Sequence, residues 1–128
     1  IQDFNKTIEF NHKCAEDYCN RGFAKLNLQD YLGAIQDFNK TIEFNHKCAV
    51  AYYNRGIAKY NLQDYTGAIQ DYSKAIELVP KYEVAYYNRG IAKEGLKDKF
   101  GALADYSKAG ELGLSEAYER IQRIQKGN

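Results

Sequence analysis

Residues 49–82 read AVAYYNRGIAKYNLQDYTGAIQDYSKAIELVPKY, and the spacing of apolar and small residues in this stretch decides the fold. Ala51, Tyr52, Arg55, Gly56, Ala58, Lys59 and Leu62 recur at three- and four-residue intervals, the period of one helix face. Asp64 stands where an N-cap belongs, its carboxylate able to accept from the free amides of the next turn. Tyr65, Ala68, Ile69, Tyr72, Ala75, Ile76 and Leu78 then mark one face of a second helix. Pro80 ends it, because proline has no amide proton and disfavours helix at the residue before it. No segment alternates at period two, so strands are not expected.

The unit is copied. Shifted by 34 residues the chain aligns with itself without a gap: residues 15–48 and 49–82 share 21 of 34 positions, 49–82 and 83–116 share 21, and residues 1–15 recur unchanged at 35–49. The 128 residues therefore divide into a half repeat at 1–14 holding only a second helix, whole repeats at 15–48, 49–82 and 83–116, and a C-terminal capping helix at 117–128. A period of this length means stacked units that supply one another's core. Asp30 and Asp98 open the second helices of the flanking units. Gly22, Gly56 and Gly90 lie inside first helices, where glycine costs about 1 kcal/mol relative to alanine. A cost accepted three times at one phase predicts close helix approach. Ala34, Ala68 and Ala102 serve the same purpose in the second helices, while Phe38, Tyr72 and Tyr106 fill the wider gaps.

A 34-residue period with an aromatic at Tyr18, Tyr52 and Tyr86, a glycine four residues on, then alanine, a later aromatic and Pro80 in one unit resembles the tetratricopeptide repeat family. The resemblance implies an all-α, right-handed α-α superhelix, a solenoid of stacked helix-turn-helix repeats. Two departures recur. Where the family often has Leu before the glycine, this chain has Arg21, Arg55 and Arg89, and where it often has Tyr three residues after, it has Lys25, Lys59 and Lys93. A buried guanidinium must be paired. The pairing expected on phase is Arg21 with Asp37, Arg55 with Asp71 and Arg89 with Asp105; the alternative is that each arginine lays its stem on the core and keeps its head in water.

In such a superhelix the first helices line the concave side. The resemblance implies that Asn20, Asn54 and Asn88 look into the groove, where a side-chain amide can both donate to and accept from a peptide backbone. Tyr53, Tyr87, Phe23, Ile57, Ile91, Val50, Val84 and Tyr60 would form an apolar wall around that ladder. The competing reading is that the asparagines merely bond within or between helices and the tyrosines are repeat filler. Family members that grip the C-terminal carboxylate of chaperones use two Lys, an Arg and two Asn. At those places this chain has Cys19, Phe23, Asn54, Val84 and Asn88, so only Asn54 is retained and carboxylate-clamp binding is not expected.

Other functions find little support. Eighteen Lys and Arg against 17 Asp and Glu, with signs alternating along the chain, remove the electrostatic reason to expect nucleic acid. A membrane span needs about 20 apolar residues, and the longest run here is a few. Residues 1–10 do not read as a signal peptide. Cys14, Cys19 and Cys48 form no CxxC pair and are odd in number, which points to reduced thiols in a cytosolic protein, with an exported or periplasmic origin as the alternative if the chain is a fragment. His12-Lys13-Cys14 and His46-Lys47-Cys48 are copies of one inter-repeat turn that stacking should keep apart, so no metal is expected. No nucleophile sits near a recurring base; neither an enzyme nor a cofactor is expected. Ile1, Phe4, Ile8 and Phe10 should present a face without cover, marking either a fragment of a longer array or an edge on which a second copy stacks. At the other end Gly113, Ser115 and the Tyr118, Ile121, Ile124 stripe read as helix stop, N-cap and covering helix. The reading is a protein or peptide interaction module of unknown partner, with self-association through residues 1–14 as the alternative.

Overall fold

The computed structural model describes residues 4–127 and, among them, seven helices and no strand: α1 (Phe4–Asn27), α2 (Tyr31–Phe44), α3 (Ala49–Asn61), α4 (Tyr65–Leu78), α5 (Glu83–Gly95), α6 (Lys99–Glu111) and α7 (Glu116–Gln125). Each helix packs on its neighbours in the chain, and α1 touches α3 as α3 touches α5. The result is an all-α helical repeat solenoid. No described helix is long and apolar enough to cross a membrane.

The local signals act at the positions their chemistry requires. Asp30, Asp64 and Asp98 accept from the amides of Gly33, Gly67 and Gly101 at 3.0, 2.9 and 2.9 Å, capping α2, α4 and α6. The close approach at the glycines is literal. A Cβ built on Gly22 would lie 2.9 Å from the Phe38 ring, and on Gly56 or Gly90 2.7 Å from the rings of Tyr72 or Tyr106. Those three rings, with Ala34, Ala68 and Ala102, are fully buried and form the successive cores between α2, α4 and α6 and the first helices.

Beside each ring runs a charged cluster. Arg21 Nε and Nη2 donate to the two oxygens of Asp37 at 2.9 and 2.7 Å, and Arg55 to Asp71 and Arg89 to Asp105 each at 2.8 and 2.7 Å. Every aspartate is buried. It takes a second cation as well, from Lys25, Lys59 or Lys93 one turn on, at 3.1, 3.1 and 3.0 Å. The guanidinium faces lie 5.2 to 5.4 Å from the rings of Tyr18, Tyr52 and Tyr86. The remaining nitrogen reaches back to the preceding repeat: Arg55 Nη1 donates to Asn39 at 2.9 Å and Arg89 Nη1 to Ser73 at 3.1 Å. One arginine thus joins three helices. Arg21 stands at the outer end of the stack, and its side chain is 60% exposed against 18% and 19% for Arg55 and Arg89.

Three expectations need correction. Residues 4–14 and 15–27 are not a second helix followed by a separate first helix, because α1 runs through residue 14 without a break. In the identical stretch at 35–49 the helix stops at Phe44, the Asn45 carbonyl and side chain accept from the amides of Cys48 and Lys47, and α3 starts at Ala49. There α2 is held between α1 and α3 and the chain must reverse. Residues 4–14 continue as helix instead, which satisfies their amides along α1. Ser115 does not cap α7; its hydroxyl turns to Glu116 at 3.3 Å. The capping helix itself starts one residue early, at Glu116, with Gly113 at φ 111 making the turn and Tyr118 laid on Gly110. Of the uncovered N-terminal face, Ile1 and the side chains of Phe4 and Ile8 lie outside the described residues, while Phe10 is 64% exposed.

Three outcomes follow from this packing. Gly56→Ala should lower stability by about 1 to 2 kcal/mol in urea titration, because strain against the buried Tyr72 ring outweighs the gain in helix propensity. Asp71→Ala, which leaves Arg55 and Lys59 as unpaired neighbouring cations, should cost about 3 kcal/mol. Arg21's hydrogen bonds hold the Asp37 carboxyl below the ordinary carboxylate range. The unfolded chain therefore takes up this proton first. The stabilisation is complete above about pH 4 and is lost as pH falls through the folded value, so Asp37→Asn should flatten the acid limb of urea midpoints measured against pH.

Candidate functional site

The faces of α1, α3 and α5 that carry residues 19, 53 and 87 form one side of the stack, and its polar centre lies between the second and third first-helices. A cleft of about 130 Å³ is lined by Ile57, Tyr60, Tyr72, Asn88 and Ile91. Ile57, Tyr60, Asn88 and Ile91 are among the residues the sequence reading expects in a groove, and the structure brings them together around this cleft. Tyr72 reaches the cleft because its ring, wedged on Gly56, projects through from α4.

The three asparagines occupy the same phase but not the same surroundings. Asn20 is exposed, Asn54 is only 6% exposed, and Asn88 is half-buried with its Nδ2 donating to the Tyr53 hydroxyl at 2.7 Å. Stacking accounts for the exposure of Asn20, since no described first helix lies before α1, whereas Asn54 and Asn88 each lie on a first helix that follows another. A bond from α5 to α3 also couples neighbouring repeats at the floor of the groove. Tyr53 is the hub of this region: its ring lies 5.9 Å from that of Tyr72 and 5.1 Å from that of Tyr82. Burial raises the Tyr53 hydroxyl above its ordinary pKa and pushes Tyr82 up to about 12, so both stay neutral near neutral pH.

The remaining wall residues divide between groove and joint. Phe23 and Val50 are exposed, Val84 is half-buried, and Tyr60 packs its ring on Tyr65 at 5.3 Å. Tyr87 packs on Tyr106 at 5.6 Å and accepts from Arg120 Nε at 3.1 Å. Arg120 also lies over the Tyr87 ring and 3.8 Å from Glu94, which in turn accepts from the Tyr106 hydroxyl. The C-terminal helix thereby closes that end of the groove with a charged clasp. Sequence periodicity gave no warning of Arg120, because α7 falls outside the repeat. Lys25, Lys59 and Lys93 had such a signal, lying one helical turn after each arginine on the same face.

The two copies of the His-Lys-Cys turn come closer than stacking predicted. Because α1 continues through residues 12–14, His12 lines a cleft with Cys19 and Cys48, while Cys14 faces elsewhere, beside Asp17, Tyr18 and Arg21. The described residues contain no group of three His, Cys, Asp or Glu able to hold a metal ion.

Residues 49–82 match the family model for the tetratricopeptide repeat. No curated protein sequence matches the chain. Among solved structures, the first TPR of Spaghetti (RPAP3), bound to the HSP90 peptide SRMEEVD, is 26% identical, with 90% of this chain and 93% of that one covered and a TM-score of 0.86. The Arabidopsis OM64 TPR domain is 28% identical over 92% of this chain and 99% of its own, with a TM-score of 0.87. The second TPR domain of human RPAP3, in complex with the HSP70 peptide SGPTIEEVD, is 26% identical over 90% and 98%, with a TM-score of 0.85. One repeat matched by the family model, two more copies in register around it and solved TPR domains superposing over nine-tenths of its length support the assignment of this chain to the tetratricopeptide repeat family.

Proposed function

We propose that this chain is a non-enzymatic protein-interaction module that holds an extended, mainly apolar peptide segment along its concave face. The observation that carries the reading is the cleft at the α3–α5 joint. Asn88 uses one amide N–H on Tyr53 and keeps its carbonyl oxygen as an acceptor beside Ile57, Tyr60 and Ile91. Asn54 stands one repeat away at the same phase, so two amides at repeat spacing can pair with successive stretches of a peptide backbone. The pockets between them take side chains. Tyrosines supply contact area at low conformational cost, as recognition surfaces require.

Similarity to domains solved with SRMEEVD and SGPTIEEVD supports peptide binding as the activity. The mode proposed here differs. The places that would grip a terminal carboxylate hold Cys19, Phe23, Val84 and Asn88 beside the one retained Asn54; Phe23 and Val84 have no hydrogen-bond donor, and none of the five carries a positive charge. Recognition on this reading does not depend on the peptide's C-terminus. A self-associating array is the second reading, favoured by the exposure of Phe10 on the free stretch of α1; a mass independent of concentration in size-exclusion chromatography removes it.

The test is selection from a displayed random-peptide library, followed by fluorescence anisotropy on the winning sequence. Asn54→Ala and Asn88→Ala should each weaken binding about ten-fold, while Glu77→Ala on α4 leaves it unchanged and amidation of the peptide's C-terminus has no effect. Full affinity in both asparagine variants, at unchanged helicity, overturns the groove reading.

A further inference from the structure

Cys19 and Cys48 meet where the next joint places two tyrosines. Residues 19 and 53 share one phase, and residues 48 and 82 share another. At the second joint these positions are Tyr53 and Tyr82, whose ring centroids are 5.1 Å apart, so the two phases face each other across the stack. At the first joint both partners of the facing pair are cysteine. Their side chains pack on the same core cluster, formed by Ala34, Phe38 and Ala51, and line the same cleft. Cys14 is excluded. Five residues before Cys19 on one continuous helix, it is turned roughly 140° away and lines a different cleft.

We propose that Cys19 and Cys48 form a thiol-exchange site that reacts with low-molecular-weight disulfides and closes to an intrachain disulfide, stapling α1 to the start of α3. Both residues are half-buried, which admits a small oxidant while keeping the pair together. A hydrogen bond joins the two sulfur groups. Hydrogen bonding to Cys19 and to the amides of Ala51 and Val50 brings the Cys48 thiol down to about 6, whereas the same bond and burial push Cys19 up. Cys48 is therefore the attacking thiolate, seated before the N-terminus of α3.

The sequence of bonds balances. The Cys48 thiolate attacks one sulfur of the small disulfide, forms a mixed disulfide and expels a thiolate, which takes up a proton from water. Cys19 then loses its proton to water and attacks Cys48 Sγ, the Cys19–Cys48 bond forms, and the second small thiolate leaves and is protonated. Two protein thiols are oxidised to one disulfide, and the small disulfide is reduced to two thiols.

Oxidised glutathione is the probe, and the full chain is the substrate. Cys14 and Cys19 fall on one tryptic peptide, so mapping uses Cys14→Ser. The wild type and Cys14→Ser should each lose two hydrogen masses and yield a linked Cys19–Cys48 peptide. Closure should raise Tm by about 5 °C or more, and dithiothreitol should reverse it. Cys19→Ser, with helicity checked by circular dichroism, should stop at the glutathione adduct on Cys48. The Cys48→Ser variant should react more slowly. A persistent adduct on Cys48 in Cys14→Ser, a bond between chains, or a wild-type bond involving Cys14 overturns the proposal.

Discussion

Phe38, Tyr72 and Tyr106 occupy the space that a Cβ on Gly22, Gly56 or Gly90 would need, so the two helices of each repeat meet backbone against ring edge. Much else depends on that distance. It brings Arg21, Arg55 and Arg89, each next to its glycine, within bidentate reach of the aspartate one residue before the ring. It also places Tyr72 in the lining of the cleft beside Asn88. A larger residue at the glycine would move the ring and the ion cluster together.

The ion cluster shows how burial depends on place in an array. Its residues are the same in every repeat, yet Arg55 and Arg89 are covered by the preceding second helix and bond to it through Asn39 and Ser73, whereas Arg21 is open to solvent. A charge pair in the interior of the stack must be complete, because a lone buried ion is costly. The same pair at the end is screened by water and contributes less. The near-zero net charge of the chain is thus the sum of clusters in which one aspartate faces two cations, offset by the caps and the exposed acidic positions of the second helices.

Several parts of this arrangement could be read directly from the residues. The caps Asp30, Asp64 and Asp98, the glycine-ring contacts and the partners of the three arginines all repeat at fixed phase, and local helix geometry converts phase into direction. The unequal surroundings of Asn20, Asn54 and Asn88 could not be read this way, since they come from what lies on either side of each helix. Nor could the clasp made by Arg120 with Tyr87 and Glu94, which belongs to a helix outside the repeat. The facing of Cys19 and Cys48 had a faint signal, in that two phases held by tyrosines at the next joint change together.

The stretch IQDFNKTIEFNHKCA, present at 1–15 and 35–49, separates the two sources of information most sharply. By itself the sequence determined the period, the helical character of both copies and the side each residue faces, because these depend on spacing along one helix. It did not determine where a helix ends. At 35–49 the chain breaks after Phe44 and reverses, and among residues 4–15 it continues as one helix to Asn27. The residues are the same, so the difference is tertiary: a turn forms at 45–48, where α2 packs on both α1 and α3 and that packing repays the helical hydrogen bonds given up, and among the described residues 4–15 the helical hydrogen bonds are kept.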